Sequence, residues 1–139
     1  MLPTIQDFKQ VIVNSITALG SPLLLRLNTT SVGGEAHVRI QPPVGSLYVL
    51  IGGAAYQAEA ATKETYWHWE DGKGSSIALT PVITIAQFIR TQLYSGITVQ
   101  SPLICSNSSY LKFLAFLTAG QAAYAEILVY QVKDPEYGQ

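Results

Sequence analysis

Two β-strands and the turn that joins them can be read from residues 110–132, YLKFLAFLTAGQAAYAEILVYQV. In the second half, Ala123, Ala125, Ile127 and Val129 recur with a period of two residues, the spacing that puts them on one face of a strand. The small residues around Gly120 interrupt both apolar runs and are typical of a turn. The pattern predicts strands at 110–118 and 122–132.

Further strand signals lie upstream, separated at short intervals by turn signals. We expect strands at 23–27, 36–40, 47–58, 64–70, 76–79, 97–99 and 102–105, with a loop at 28–34. The Gly52-Gly53 pair predicts a bulge or a close backbone approach, and Asp71-Gly72-Lys73-Gly74 predicts a hairpin turn. Segment 83–93 fits either a strand or a short helix.

This pattern is that of an antiparallel β-sandwich, of either jelly-roll or immunoglobulin type. The chain has a single cysteine, so the immunoglobulin disulfide is impossible and the jelly-roll type is the better interpretation. We therefore expect an all-β fold, with the jelly-roll domain at 22–139 and a separate arm at 1–21.

The arm is predicted to be helical. Thr4 can cap its start, and Gly20 followed by Pro22 can end it. One apolar stripe has helical spacing: Ile5, Phe8, Ile12, Ile16 and Leu19. The stripe can dock on a neighbouring subunit or pack on the chain's own sheet, and the sequence leaves both readings open.

The composition of the chain argues against some classes of function. The 139 residues suit one domain, only 12% are charged, and the net charge is −1, which argues against a nucleic-acid partner. No signal-peptide pattern and no membrane-spanning apolar run is present, so no membrane association is expected. Neutral polar residues are cheaper to desolvate than charges, which favours extensive protein contact, although a neutral surface with no partner fits as well.

No motif for catalysis, for a cofactor or for a metal is found. The only histidines are His37 and His68, so few bases are available to activate a nucleophile. Cys105 lies among apolar residues and is expected in the core. We expect no enzyme activity, no cofactor and no metal.

The aromatic strand at 64–70 is the most informative local feature. Alternation puts Trp67 and Trp69 on one face, interpreted as core, and Tyr66 and His68 on the other. The outward face is then a candidate contact patch, because aromatic residues contribute much of the binding energy at interfaces.

Two later strands carry similar signals. The strand at 110–118 is apolar on both sides, which indicates that it is covered twice. The candidate partner-binding residues of the chain are Ile5, Phe8, Ile12, Ile16, Tyr66, His68, Leu114, Phe116, Tyr124 and Tyr130.

From Pro42 onward, the order of features resembles small β-sandwich structural proteins of tailed bacteriophage virions. The matching features are Pro42-Pro43-Val44-Gly45 before Leu47–Ile51, the Asp71–Gly74 hairpin, Pro102-Leu103-Ile104, Tyr110–Phe113, and Ala119-Gly120-Gln121 before the last strand. Segment 81–101 is longer and more apolar than this pattern, and the arm lies outside it.

The resemblance implies a non-enzymatic virion protein made in the host cytoplasm. It would be a capsid decoration or cement subunit that forms a homo-oligomer, for example a trimer, and contacts other virion proteins such as the major capsid protein. The alternative is a receptor- or carbohydrate-binding domain of a tail or head fibre.

Overall fold

The computed structural model describes residues 22–72, 76–93 and 102–134, and these ranges contain ten strands and no helix. The strands are β1 (Leu23–Thr30), β2 (Ala36–Ile40), β3 (Ser46–Gln57), β4 (Lys63–Glu70), β5 (Ser76–Ala78), β6 (Ile83–Ile85), β7 (Thr91–Gln92), β8 (Leu103–Cys105), β9 (Tyr110–Ala115) and β10 (Ala122–Lys133).

The strands form two antiparallel sheets. Sheet 1 has the order β1-β10-β3-β7, with β8 also paired to β3, and sheet 2 has the order β2-β9-β4-β5, with β6 also paired to β4. The predicted all-β sandwich is confirmed. One set of pairings is nested along the chain: β1 pairs with β10, β2 with β9, β3 with β7 and β8, and β4 with β5 and β6. In addition, β10 pairs with β3 and β9 with β4.

The core lies between the sheets and follows the period of two residues. Trp67 and Phe113 pack with ring centroids 5.1 Å apart, and both are almost fully buried. Sheet 1 contributes Ala123, Ala125, Ile127 and Val129, the residues predicted to share a face, and all four have no exposed surface. Cys105 is also completely buried, as expected.

The Gly52-Gly53 signal marks an irregularity, as predicted. The register between β3 and β10 shifts between Leu128 and Val129, so that Ile51 is left as an extra residue. Gly53 has φ +146°, and a Cβ atom there would lie 2.5 Å from the carbonyl oxygen of Glu126. Only glycine fits at this position.

One sequence expectation is wrong, and one open alternative is decided by the structure. Residues 28–30, expected in a loop, continue β1, because Asn28–Thr30 pair with Ala122–Tyr124 of the long last strand. Segment 83–93 forms the short strands β6 and β7 with a turn between them and no helix. The predicted arm at 1–21 and the predicted strand at 97–99 lie outside the described residues. Within these ranges no helix is long and apolar enough to cross a membrane.

Candidate functional site

Four of the predicted contact residues lie together on the face of sheet 2 that points away from the core. Tyr66 pairs with Leu114 across β4 and β9. The Tyr66 ring is edge-on to the His68 ring, and their centroids are 5.1 Å apart. The Tyr66 and Phe116 centroids are 6.0 Å apart, and the angle between these two rings is 29°. This sheet 2 contact face consists of His37, Tyr66, His68, Lys112, Leu114 and Phe116.

The centre of the sheet 2 contact face is unusually well buried for an outer face. Phe113 points into the core, so Lys112 and Leu114 point outward, yet each is only 4% exposed. Leu114 lies between His37 on β2 and Tyr66 on β4. Strand β9 is therefore covered on both faces, as its two-sided apolar sequence predicts.

An ion pair between the buried Lys112 and the partly exposed Glu70 crosses this face. Nζ of Lys112 lies 2.5 Å from Oε1 of Glu70, and the hydrogen bond from Lys112 lowers the pKa of Glu70. Burial lowers the pKa of His68, and the nearby Lys112 charge adds to this effect. Oγ of Ser76 lies 2.9 Å from Nδ1 of His68 and donates to Glu70. The face therefore presents one neutralised ion pair and a neutral imidazole near pH 7.

His37 joins this face from the edge strand β2. Its Nε2 lies 2.9 Å from Oε2 of Glu35, and its buried Nδ1 has no hydrogen-bond partner. Native proteins leave few buried polar atoms unsatisfied, so this nitrogen is an exception among the described residues.

Tyr124 lies on the opposite side of the sandwich, on the outer face of sheet 1. Its ring stacks on Tyr56, with centroids 5.0 Å apart and an angle of 13°. The guanidinium carbon of Arg90 is 5.0 Å from the Tyr56 centroid, and Nη2 of Arg90 is 2.8 Å from Oε1 of Glu126. With Phe88, whose ring lies 6.3 Å from Tyr56, these residues form what we call the sheet 1 aromatic patch.

Tyr130 also lies on the outer face of sheet 1 but at its other end. It packs with Ile104 and Val132 against the buried side chains of Leu47 and Val49. The predicted contact residues thus divide between two faces of the sandwich. Ile5, Phe8, Ile12 and Ile16 lie outside the described residues.

Cys105 is not available as a nucleophile. Burial raises the pKa of the Cys105 thiol to about 12, so the thiolate needed for nucleophilic attack is not formed near neutral pH. Among the residues placed by the structure, no group of three His, Cys, Asp or Glu side chains could hold a metal ion.

Several residues of both faces were missed at the level of sequence. Alternation within β2 puts His37 and Arg39 on the face opposite the apolar residues, but only the pairing of β2 with β9 brings His37 beside Leu114. Phe88 and Arg90 lie in the ambiguous segment 83–93, which carries no periodic signal strong enough to place them.

Comparison with protein-family models, with curated proteins and with solved structures finds no match to this chain.

Proposed function

We propose that this chain is a non-enzymatic virion structural protein, a decoration or cement subunit of a phage capsid, with a sandwich of jelly-roll type. The nested strand pairing supports the jelly-roll assignment. A jelly roll pairs its first strand with its last and its second with its next to last, and β1–β10 and β2–β9 follow that rule.

The assignment to a virion rests on similarity to the folds of known virion proteins. Jelly rolls recur in viral capsid proteins and in lectins, and the order of turns from Pro42 onward resembles phage structural proteins. This similarity indicates a class of function, whereas the mechanism has to be inferred from the surface of the sandwich.

The observation that carries the proposal is the sheet 2 contact face. Tyr66, Phe116 and Leu114 form an aromatic and aliphatic strip, and its central charge, Lys112, is already neutralised by Glu70. A partner that covers this strip meets the Lys112 charge already paired, with the exposed Arg39 beside it on β2, and aromatic residues there contribute binding energy through buried area.

The mechanism is interfacial. Copies of the chain associate through the sheet 2 contact face into a closed oligomer, a trimer being suited to a threefold site on a shell. The oligomer spans neighbouring copies of the major capsid protein and opposes their separation. The arm at 1–21, with its stripe of Ile5, Phe8, Ile12 and Ile16, docks on a neighbouring subunit.

The test is particle association. We expect an antibody against the chain to label capsids by immunogold electron microscopy in phage lysates of the strain that carries the gene. Purified wild-type chain should co-sediment with shells that lack it, and Phe116→Lys should not, because a lysine there must be desolvated when copies associate, and the oligomer that spans the shell subunits is lost. Val44→Lys, an exposed change in the β2–β3 connection, is the matched control and should bind. Label on no particle, or equal binding by Phe116→Lys, would refute the proposal.

A second candidate is a receptor- or carbohydrate-binding domain of a tail or head fibre. The sheet 1 aromatic patch favours it, because exposed aromatic and charged groups are placed together there without a structural need. Removal of residues 1–20 separates the two candidates: a fibre domain would keep its ligand and lose only its attachment to the particle.

A further inference from the structure

The sheet 1 aromatic patch contains an aromatic ring that the fold does not require. Phe88 is 55% exposed, and its backbone has φ +60°, the only non-glycine residue with positive φ among the residues described. Phenylalanine rarely adopts this conformation, and a solvent-exposed ring recovers little through packing. Strained residues of this kind cluster at binding sites.

The surrounding backbone holds the ring in place. The N–H of Phe88 donates to the carbonyl of Gln57 at 2.8 Å, and Nε2 of Gln87 donates to the carbonyl of Ala58 at 2.9 Å. Gln57 ends β3, a central strand of sheet 1, and Ala58 follows it. Phe88 therefore lies in a turn that is hydrogen-bonded to the end of β3, next to Tyr56 and at 59° to its ring.

Fixed polar groups surround the rings. Glu126 accepts a hydrogen bond from Arg90 at 2.8 Å and interacts with the Tyr56 hydroxyl, and this arrangement lowers the pKa of Glu126. A guanidinium has five N–H donors and a carboxylate accepts several hydrogen bonds. Arg90 and Glu126 can therefore each form further hydrogen bonds with a ligand. Their planes and positions are set before any ligand arrives.

We propose that the sheet 1 aromatic patch binds a neutral saccharide. A pyranose ring has an apolar C–H face that packs on an aromatic ring, and its hydroxyls both donate and accept hydrogen bonds. Phe88 and the Tyr56–Tyr124 stack supply the aromatic surface, while Arg90 and Glu126 supply a donor fork and an acceptor. Glu126 lies between Arg90 and Arg26, which is its partner across β1 and β10, so the patch offers hydrogen-bond donors on both sides of an acceptor, a pattern that sugar hydroxyls match.

This site is separate from the proposed contact between copies of the chain, because it lies on the opposite sheet. This step rests on the proposed function: in a decoration oligomer joined through sheet 2, the sheet 1 aromatic patch lies outside that contact. Saccharide binding then attaches the particle to glycans of a cell surface.

The experiment is saturation-transfer NMR of the full-length chain with methyl glucoside, N-acetylglucosamine, methyl mannoside and lactose at millimolar concentration. We expect at least one sugar to receive saturation on its ring C–H protons. Phe88→Asn should abolish this signal, since asparagine tolerates positive φ and removes the ring. Arg90→Gln should weaken binding several-fold. Ile77→Asn, an equally exposed apolar position on sheet 2, should bind as wild type.

Unfolding curves of each variant check that the fold is intact. Two results would overturn the proposal: no transfer to any of the four sugars, or transfer that both Phe88→Asn and Arg90→Gln leave unchanged. Loss of self-association in Phe88→Asn, with no sugar bound, would also overturn it and would assign the patch to a second copy of the chain.

Discussion

Lys112 and Glu70 form an ion pair on the outer face of sheet 2, with Nζ 2.5 Å from Oε1, although Lys112 is only 4% exposed. A buried lysine is costly unless it is paired, so Glu70 is what allows a charge at the centre of a contact face. The pair also couples the stability of the sandwich to pH.

The direction of this coupling follows from the lowered pKa of Glu70. Its ordinary pKa is 4.5, and hydrogen bonding by Lys112 places the folded-state value below it. The stabilisation is complete above pH 4.5 and is lost as the pH falls through the lowered value. Lys112→Met should reduce the free energy of unfolding at neutral pH by about 1–3 kcal/mol. Urea titrations between neutral and acidic pH measure both effects.

Lys133→Met removes an exposed lysine and serves as the control, which should keep the acid dependence of the wild type. If the free energy of unfolding falls as steeply toward acidic pH in Lys112→Met as in the wild type, the ion pair does not link stability to pH.

Gly53 is predicted to be irreplaceable. Gly53→Ala combines a positive φ with a Cβ 2.5 Å from a backbone oxygen, so we expect a loss of about 3 kcal/mol or more in the free energy of unfolding. Gly33 has φ +66° but no atom within 4 Å of an added Cβ, so Gly33→Ala should cost only about 1–2 kcal/mol. Equal losses for the two variants would show that the close approach of β3 to β10 contributes nothing.

Gln57 is a fully buried polar residue that ties the β3–β4 connection to β6. Its Nε2 donates to the carbonyls of Ala61 and Ile85, and its Oε1 accepts from the N–H of Glu59. Gln57→Leu leaves these groups unsatisfied and should lower the free energy of unfolding by about 2–3 kcal/mol. Gln131→Leu, on the exposed part of β10, should change it by less than about 0.5 kcal/mol in the same denaturant titration.

The arm proposal makes a separate prediction. A chain that lacks residues 1–20 should fold with the thermal stability of the full-length protein and fail to co-sediment with shells. If the truncated chain instead loses stability or becomes aggregation-prone, the apolar stripe packs on the chain's own sheet.

Much of the fold follows from local patterns, because burial on one face imposes a period of two residues on each strand. Alternation is enough to interpret Trp67 as core and to place Ile127 on one face with three other apolar residues, and both side chains are buried. The end of β1 was misplaced because Asn28 and Thr30 carry turn-like composition, while their pairing with β10 involves residues about a hundred positions away. Long-range register overrode local propensity.

Long-range strand pairing also decides where the predicted contact residues lie. Tyr66, His68, Leu114 and Phe116 each had an outward or two-sided signal, but the sequence could not show that they share one face. Tyr124 and Tyr130 had the same kind of signal and lie on the opposite sheet. Alternation gives the face of a strand, whereas the neighbours of that strand are fixed by the nested pairing of the whole chain.

The most direct test of the central claim is the mass of the purified chain in solution, measured by light scattering over a concentration series. We expect the wild type to form a closed oligomer such as a trimer, and Phe116→Lys to be a folded monomer, because the change puts a charge into the sheet 2 contact face. Val44→Lys should keep the wild-type mass. A wild-type monomer at every concentration, or an oligomer unaffected by Phe116→Lys, would contradict the claim that copies associate through this face.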